Sequence, residues 1–450
     1  MEVCNTGQQI CLSESSLPRV VIIGGGFAGI ELSKKLKNGP YQVVLLDRHN
    51  FHQFQPLLYQ VATSGLEPDS IVFPFRKMFS GYKNFVFRLA EVQEVEPLKQ
   101  RVFTDKGYLD YDYLVLATGS QTNYFGLSQV QENSTGMKNI REALNIRHLM
   151  LQNLEKATIT CDAREKDILT NFIIVGGGPA GVETAGALAE FRNYILPKDY
   201  PELVVEDMNI YLLEAGDRLL NGMSDKASDK ALKYLRKLGV EVELNTALTQ
   251  YNGKEAQTQD GRNMEAATLV WTAGVMGSFP KGMKDASILR ANRIETDKYL
   301  RVKGYINLFA TGDVAAVDDT KHQRGHPMVA QVAIQQGRLL GDNLLRLAQG
   351  KKFTAFIYKD KGSLATIGKN RAVADIAKFR FGGYVAWLLW SIVHLMSISG
   401  FKNKLFVGLN WLWSYFNYEK SNRLIIRKYD LSAERKSEIF AEQKPKKSEV

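Results

Sequence analysis

Cysteine is scarce in this chain, and the cysteines present are not arranged for chemistry. Cys4, Cys11 and Cys161 form no C-x-x-C pair and no even set for a disulfide framework. This excludes a cysteine redox pair and is typical of a protein in a reducing compartment. The chain also has only six histidines. Although His322 and His326 are spaced i, i+4, we expect them to be solvated in a loop rather than metal-bound, and we predict no metal site.

Long hydrophobic runs are also missing. Two apolar stretches near the C-terminus, Gly383 to Met396 and Leu405 to Phe416, are each shorter than the ~20 residues that a membrane-spanning helix needs. The first 18 residues have neither the apolar core nor the basic start of a secretory signal peptide. These absences argue against a transmembrane or exported protein.

Length and charge limit the remaining classes. With 450 residues, 45% of them hydrophobic and 24% charged, the chain is expected to form two or three globular domains. Its formal charge of +10 favours an anionic partner. Because no basic block with interleaved aromatic residues stands out in the central chain, we predict a nucleotide or an acidic lipid and no nucleic acid.

The chain begins with a dinucleotide-binding pattern. A β-branched run enters Gly24, Gly26 and Gly29, and an amphipathic helix pattern follows. These glycines suit a tight turn, a close approach of backbone to a pyrophosphate, and the packing of helix on strand. A second buried strand, residues 43–46, ends at Asp47, 23 positions after Gly24, where an acid can accept hydrogen bonds from a ribose. The pattern therefore predicts a bound dinucleotide.

The same pattern occurs a second time. A buried strand enters Gly176 and Gly181, and its helix is predicted to continue through Ala189. The acid at the end of the next strand is Glu214, 38 positions after Gly176 rather than the usual ~20. We interpret Phe191 to Asp207 as an insertion that accounts for this excess. The chain is thus expected to contain two dinucleotide-binding folds.

Small-residue turns follow later strands of both folds. Ala117, Thr118 and Gly119 end one buried strand, and Ala273 and Gly274 end its counterpart in the second fold. Such turns allow backbone to lie close to a nucleotide. A third strand ends at Gly312 and Asp313, where one carboxylate can be aimed at ligand hydroxyls. The predicted cofactor-binding residues are Gly24, Gly26, Phe27, Ala28, Gly29, Asp47, Ala117, Thr118, Gly119, Gly312 and Asp313 in the first fold, and Gly176, Gly178, Pro179, Ala180, Gly181, Glu214, Ala273 and Gly274 in the second.

Between the two folds the pattern is less regular. Phe85 to Glu91 and Arg101 to Thr104 are predicted as short strands of a meander, with Pro97 in the turn between them. Ile140 to Leu154 has helical spacing and is predicted to bridge two lobes.

The C-terminal part differs in character. Its two apolar stretches contain several aromatic residues and lie beside basic ones, which favours helices lying in the headgroup interface of a membrane. A buried dimer interface is the alternative. The basic residues are Lys402, Lys404, Arg423, Arg427 and Lys428. Residues 431–450 are charged and predicted to be disordered.

With these motifs together, the chain resembles the type II NADH dehydrogenases, which belong to the flavoproteins with two dinucleotide-binding domains. The more specific matches are Gln55 to Gln60, Ala330-Gln331-x-Ala333-x-Gln335, and Trp411-Leu412-Trp413 with its basic end. The resemblance implies a non-proton-pumping respiratory-chain enzyme with FAD on the first fold and NADH on the second. It further implies a membrane quinone as partner, a homodimer, and monotopic attachment to the cytoplasmic face of the cell membrane, where we expect an anionic lipid surface.

The resemblance also implies site residues. Gln331 and Gln335 match a segment near the flavin and quinone, and Lys369 matches a basic residue near the isoalloxazine. Glu183 falls on the NADH side of the match, and we place it in the first turn of its helix. It either complements the helix dipole there or lines the nicotinamide or quinone site and manages quinone protons.

The fold class that follows is α/β, with two Rossmann-like domains and a C-terminal membrane-associated helical segment. The predicted domains are an FAD-binding domain at 18–125 and 280–350, an NADH-binding domain at 165–279, and an anchoring domain at 351–430. A redox-sensing flavoprotein resembling the apoptosis-inducing factors, acting through a partner, is the alternative function. The aromatic and basic C-terminal segment distinguishes the two, because it predicts membrane binding and quinone turnover.

Overall fold

The computed structural model describes residues 7–283, 286–318, 325–417 and 422–431. The chain divides into two compact units. The first comprises residues 1–53, 72–121 and 275–361, and the second comprises residues 54–71, 122–274 and 362–450. Residues from 362 onwards thus group with the second unit. His322 and all but the first residue of the predicted disordered segment lie outside the described residues.

The first unit is built on a parallel sheet of five strands in the order Leu308–Ala310, Tyr113–Leu116, Arg19–Ile23, Gln42–Asp47 and Phe85–Leu89. Alternate residues of the central strand face opposite sides, and both sides are buried, as the continuous apolar run of that strand requires. Val20 and Ile22 pack with Leu32 and Leu340 of two helices, and Val21 packs on the opposite side.

The helices and remaining strands of the first unit surround this sheet. Its helices are Phe27–Lys35, Phe75–Met78 and Ala330–Ala348, with 3-10 turns at Pro97–Lys99 and Gly312–Val314. Its other sheets are formed by Val92–Glu96 with Arg101–Thr104 and Gly107–Asp110, by Ile288–Leu289 with Arg293–Thr296 and Ala315–Val317, and by Phe51–Gln53 with Val72–Pro74. Strand Ser120–Thr122, whose last residue is grouped with the second unit, pairs with Val275–Gly277.

The second unit repeats the parallel sheet. Its strand order is Thr135–Gly136, Thr268–Trp271, Phe172–Val175, Ile210–Leu213 and Glu241–Glu243. Two antiparallel sheets accompany it, formed by Leu248–Tyr251, Glu255–Thr258 and Asn263–Glu265, and by Ser363–Thr366, Ala372–Ile376 and Phe379–Gly382. Its helices are Leu58–Ala62, Ser128–Asn133, Ile140–Ile159, Ala163–Thr170, Pro179–Tyr194, Leu196–Asp199, Asp225–Lys237, Tyr384–Ser397 and Phe401–Asn417, with 3-10 turns at Gln55–Leu57, Pro68–Ser70 and Val205–Asp207.

The α/β fold class is confirmed, and the structure corrects several predictions within it. Phe85–Leu89 is the parallel edge strand beside Gln42–Asp47 rather than part of a meander. Helix Ile140–Ile159 was predicted to bridge two lobes, but all of it belongs to the second unit, where it packs against helix Leu58–Ala62. His326 was predicted to be solvated, but it is buried against the rings of Phe356 and Tyr358.

The helix of the second glycine pattern is also longer than predicted. It runs from Pro179 to Tyr194, so the first residues of the supposed insertion are helical. Phe191 and Arg192 are buried on this helix. The Arg192 guanidinium donates to the carbonyls of Leu238 and Gly239. These tertiary contacts stabilise the helix as far as Tyr194.

A short C-terminal segment is tied to helix Ile140–Ile159. The side-chain amide of Gln152 donates to the carbonyl of Tyr429 at 3.0 Å and accepts from its backbone N–H at 2.8 Å. Arg427 donates to Asn145 Oδ1 at 2.7 Å. We call residues 422–431 the C-terminal strap.

Candidate functional site

The first glycine turn is closed on its inner side and open on its outer side. Gly24 has φ +103°, and a Cβ there would lie 2.4 Å from the carbonyl oxygen of Ala117. A Cβ at Gly29 would lie 2.0 Å from the Gly24 carbonyl oxygen. At Gly26, by contrast, a Cβ would meet no atom within 4 Å. The turn therefore fits a dinucleotide pyrophosphate, which needs tight packing beneath the loop and free space above it.

The neighbouring strand ends meet at this turn. The backbone N–H of Ala117 donates to the Ile23 carbonyl at 2.8 Å, and that of Thr311 donates to the Leu116 carbonyl at 2.9 Å. Asp313 accepts a hydrogen bond from Ser120 Oγ at 2.5 Å. Of the residues predicted for the first fold, Asp47, Ala117, Thr118, Gly119, Gly312 and Asp313 lie at or just after strand ends of this edge, because the carboxyl ends of adjacent parallel strands lie together. Phe27, Ala28 and Gly29 begin the helix that follows the glycine turn.

Asp47 closes the turn from the side. Its Oδ2 accepts from the Gly25 N–H at 2.6 Å and its Oδ1 accepts from the His49 N–H at 2.7 Å. Asp47 thus faces the glycine loop at the end of the strand, where the motif predicts a ribose.

Gln336 was missed from the sequence. Its side chain is fully buried, and its Oε1 accepts from the Gly312 N–H at 2.7 Å. Its Nε2 has no hydrogen-bond partner among the described residues. A buried unpaired amide beside Gly312 is consistent with a polar ligand atom at this place. The only signal in the sequence was the doubled glutamine after Ile334.

The second turn has the same geometry. Gly176 has φ +110°, and a Cβ there would lie 2.6 Å from the Cα of Ala273. A Cβ at Gly181 would lie 1.9 Å from the Gly176 carbonyl oxygen, whereas one at Gly178 would meet nothing within 4 Å. The predicted residues of the second fold lie together along this edge, and the loop fits a second dinucleotide.

Glu214 occupies the position that Asp47 has in the first fold. Its Oε2 accepts from the Gly177 N–H at 2.5 Å and its Oε1 accepts from the Gly216 N–H at 2.6 Å. Arg218 is not aimed at this carboxylate, because its guanidinium donates to Asn221 and to the Met223 carbonyl and pairs with Asp225.

Glu183 is a buried carboxyl rather than a helix-terminal one. The helix begins at Pro179, so Glu183 is its fifth residue and not in the first turn as predicted. The helix dipole acts mainly within the first turn. Burial raises the pKa of Glu183 to about 8, and the Thr366 N–H and the Trp390 side chain only partly oppose this. The carboxyl therefore holds a proton at neutral pH.

A cavity of about 120 Å³ lies beside Glu183 within the second unit. Its lining includes Tyr59, Gln60, Glu190, Thr366, Lys369 and Trp390. Thr366 connects this cavity to Glu183, because its backbone N–H donates to Glu183 Oε1 at 3.4 Å. The structure thus brings two predicted site residues, Glu183 and Lys369, to the same region of the second unit.

The Lys369 side chain is directed at an aromatic residue. Its Nζ donates to the Tyr415 carbonyl and lies 4.2 Å from the centre of the Tyr415 ring. Its backbone N–H donates to Glu190. This leaves the ammonium group at the cavity wall.

Gln331 and Gln335 belong to the first unit, and both hold one backbone segment. Gln335 donates to the Lys359 carbonyl at 2.9 Å and accepts from the Lys359 N–H at 3.0 Å. Gln331 accepts from the Lys361 N–H at 3.0 Å. Their side-chain amides thus fix residues 359–361.

Tyr59, Gln60, Trp390 and Trp411 were not predicted as site residues. Trp411 Nε1 donates to Gln60 Oε1 at 2.8 Å, and Gln60 Nε2 donates to the Tyr59 hydroxyl at 2.9 Å. Trp390 packs against Trp411 with ring centres 5.5 Å apart. The sequence marked Tyr59, Gln60 and Trp411 as parts of family-specific motifs without showing that they meet.

The two C-terminal helices expose an apolar surface. Tyr384–Ser397 and Phe401–Asn417 carry exposed side chains that include Val385, Ile392 and Phe416. Within the described ranges, no helix combines the length and apolar character that crossing a bilayer requires. The same ranges contain no cluster of His, Cys, Asp and Glu that could hold a metal ion.

Comparison with known proteins agrees with this geometry. The family model of pyridine nucleotide-disulphide oxidoreductases matches residues 18–337, and that of the NDH2 C-terminal domain matches residues 361–417. Two type II NADH:quinone oxidoreductases of Mycobacterium tuberculosis, NdhA and Ndh, are each 35% identical over 90% of this chain and cover 89% and 90% of their own lengths.

A solved structure shows the same fold. NDH2 from Plasmodium falciparum in complex with NADH aligns with a TM-score of 0.83 over 91% of this chain and all of that chain, at 21% identity.

The two glycine turns, each open for a dinucleotide, and the match over residues 18–337 define a pyridine nucleotide-dependent oxidoreductase with two Rossmann-like domains. Within this class the chain belongs to the type II NADH:quinone oxidoreductase family. The resemblance found in the sequence is confirmed, as are its cofactors, FAD and NADH.

The two glycine turns predict that a bulky substitution in each turn affects the binding of a different dinucleotide. Gly26→Val should abolish FAD retention, because its side chain fills the space of the pyrophosphate. Gly178→Val should keep FAD and weaken NADH binding at least tenfold. Flavin absorbance of the purified variants and NADH titration monitored by fluorescence measure both effects. Since neither added Cβ meets a protein atom within 4 Å, each variant should fold. Normal flavin content in Gly26→Val would contradict the assignment.

Glu214 predicts the choice of nucleotide. Its carboxylate should accept hydrogen bonds from the adenosine ribose of NADH and repel a 2′-phosphate, so kcat/KM should favour NADH over NADPH at least tenfold. Glu214→Gln should reduce this preference, while Glu243→Gln serves as a control at a neighbouring strand end. Equal kcat/KM values for the two nucleotides in the unmodified protein would rule out this role.

Proposed function

We propose that this chain oxidises NADH and reduces a membrane quinone, with FAD as its cofactor and without pumping protons. The observation that carries the proposal is the buried Glu183 behind the wall of an aromatic cavity, in the unit that also carries the second dinucleotide turn. The relatives named NADH:quinone oxidoreductase support it over almost their full length. A redox sensor that acts only through a protein partner does not require a buried carboxyl group beside such a cavity.

The first unit is proposed to hold FAD. When bound, FAD supplies the redox chemistry, accepting a hydride from NADH and passing the electrons to quinone. The Gly24 turn would cradle its pyrophosphate, Asp47 its ribose, and Asp313 with Gln336 further polar groups. The second unit would hold NADH at the Gly176 turn. Both assignments rest on the strand-end geometry described above.

Glu183 is proposed to manage the protons of quinone reduction. Quinone takes up two protons with two electrons, and a carboxyl with a pKa of about 8 can supply one at neutral pH. Because its pKa is raised above the ordinary value of 4.5, Glu183 keeps its proton as pH rises to about 8 and loses it above. Lys369, at the wall of the same cavity, is proposed to favour negative charge on a quinone oxygen.

Gln331 and Gln335 are proposed to act by holding a backbone segment in place. Their hydrogen bonds fix residues 359–361, so their contribution to a flavin or quinone site would be the placement of this segment.

The C-terminal helices are proposed to lie on the membrane. Their exposed apolar side chains would enter the headgroup region, and Lys402 and Lys404 would contribute up to ~1 kcal/mol each on an anionic surface. Arg423 and Arg427 contribute less than the sequence suggested, because they bind Asp199 and Asn145. Attachment to the cytoplasmic face, an anionic leaflet and a homodimer remain our proposals.

The role of Glu183 predicts a specific pH dependence. In rapid-mixing experiments with a short-chain quinone, flavin reoxidation should slow as pH rises through about 8, because Glu183 loses its proton. Glu183→Gln should reoxidise about a hundredfold more slowly and show no inflection near this pH. Flavin reduction by NADH should be nearly unchanged. Glu155→Gln, on a different helix of the same unit, is the control.

One outcome would contradict the proposed function, and another would contradict only the role of Glu183. If the unmodified protein is reduced by NADH but not reoxidised by quinone, the proposed function is wrong. If it reoxidises normally and Glu183→Gln keeps both the rate and the inflection, Glu183 has only a structural role.

Membrane attachment predicts a loss of binding on substitution. The double variant Val385→Glu/Ile392→Glu places two charges on exposed apolar positions without disturbing the core, and should reduce flotation with anionic liposomes at least tenfold. Removing both helices by truncating the chain after Lys378 would be a less specific test, because it also removes strand Phe379–Gly382. Ile306→Glu, at an exposed apolar position of the first unit, is the matched control. Equal flotation of both variants and the unmodified protein would favour a buried dimer interface instead.

A further inference from the structure

The amide of Gln60 has one defined orientation. The indole of Trp411 can only donate, so the Gln60 atom 2.8 Å from its Nε1 must be the carbonyl oxygen. The amide nitrogen then faces the Tyr59 hydroxyl oxygen at 2.9 Å. Trp411 therefore determines which group Gln60 presents to Tyr59.

This orientation determines the direction of the Tyr59 hydroxyl hydrogen. The amide nitrogen of Gln60 is a donor without a free lone pair, so the tyrosine oxygen must accept from it. The hydroxyl hydrogen has to point elsewhere. Tyr59 lines the cavity beside Glu183, and its side chain is otherwise buried. Burial, with Glu183 as the next cause, raises the pKa of Tyr59 well above 10, so the hydroxyl retains its hydrogen at neutral pH.

A carboxyl that can supply a proton lies next to the cavity that Tyr59 lines. Thr366 lines the cavity and donates from its backbone to Glu183. Tyr59 lines this cavity, and Glu183 lies directly behind its Thr366 wall, close enough to act electrostatically on the Tyr59 hydroxyl. Helix Leu58–Ala62 packs against helix Pro179–Tyr194, and this packing holds Tyr59 near Glu183.

We propose that Tyr59 gives a proton to a quinone oxygen in this cavity and is reprotonated by Glu183, and that Gln60 and Trp411 are the positioning residues that direct its hydroxyl hydrogen. The proposal rests on the proposed function. NADH becomes NAD⁺ with loss of two electrons and one proton, and quinone becomes quinol with uptake of two electrons and two protons. One of these two protons passes through the relay. The Tyr59 O–H bond breaks as a quinol O–H forms, the Glu183 proton restores Tyr59, and solvent restores Glu183.

Other ionisable groups face the relay. Glu190 and Lys369 line the same cavity, and His394 stacks on Trp390 with ring centres 4.2 Å apart. Burial lowers the pKa of His394 to about 4, so this imidazole is neutral throughout the range in which Glu183 titrates. The inflection near pH 8 is therefore assigned to Glu183 by its loss in Glu183→Gln.

The relay also involves one of the exposed helices. Trp411 lies on helix Phe401–Asn417, most of whose apolar side chains face outward. A single side chain of this helix thus sets the direction of a hydroxyl group inside the unit.

The experiment compares Tyr59→Phe, Trp411→Phe and Tyr200→Phe in rapid-mixing assays with a short-chain quinone. Tyr200 is the matched control, because its buried hydroxyl binds Glu155 outside the cavity. Tyr59→Phe should reoxidise about a hundredfold more slowly and lose the inflection near pH 8, since Glu183 no longer reaches the quinone. Trp411→Phe should be roughly tenfold slower and keep the inflection. Flavin reduction by NADH should be unchanged in all three.

A spectroscopic measurement tests the positioning bond without turnover. In ultraviolet resonance Raman spectra, the indole hydrogen-bond marker of Trp411, assigned by its loss in Trp411→Phe, should shift in Gln60→Leu. An unchanged marker would refute the positioning by Trp411. If the unmodified protein and Tyr59→Phe both reoxidise at the same rate with the same inflection, the relay is wrong while the proposed function stands. If the unmodified protein does not reduce quinone, both fail.

Discussion

The structure depends on how closely a glycine turn can approach the end of the neighbouring strand. At Gly24 and Gly176 the backbone has a left-handed φ and leaves no room for a side chain against Ala117 and Ala273. This contact aligns the carboxyl ends of adjacent strands, so that loops far apart in sequence form one edge. A dinucleotide site follows from this alignment in each unit, and a larger residue at either turn would separate the strands that build it.

The sequence predicted the repeated fold well, because its signals are local. Within each unit the strand, the glycine turn, the helix and the acidic residue follow one another along the chain. The glycine turn in particular is set by local backbone conformation, which the sequence shows directly. Helix ends were predicted less well. The helix from Pro179 extends to Tyr194 because Arg192 is buried and bound to the carbonyls of Leu238 and Gly239, far away in the sequence. Phe85–Leu89 was misplaced because a parallel edge strand and a meander strand have the same apolar pattern.

The cavity could be predicted only in part, because its walls come from distant segments. Tyr59, Thr366 and Trp411 meet through tertiary packing that no spacing rule connects. Glu183 was selected for its place after a glycine motif, but its raised pKa follows from burial, which the sequence did not reveal. For the adjacent glutamines the sequence selected Gln335 as a site residue and missed Gln336, which is the fully buried one.

The C-terminal strap has a mechanical consequence. It follows the exposed helices in the chain and is fastened to helix Ile140–Ile159 at two places, by the paired hydrogen bonds of Gln152 with Tyr429 and by Arg427 with Asn145. A force that lifts the helices from a surface would pass along the chain into the strap, where these hydrogen bonds oppose it. The strap would therefore fasten the far end of the exposed helices to the body of the second unit, and cutting the chain ahead of it would leave that end free without altering either nucleotide fold.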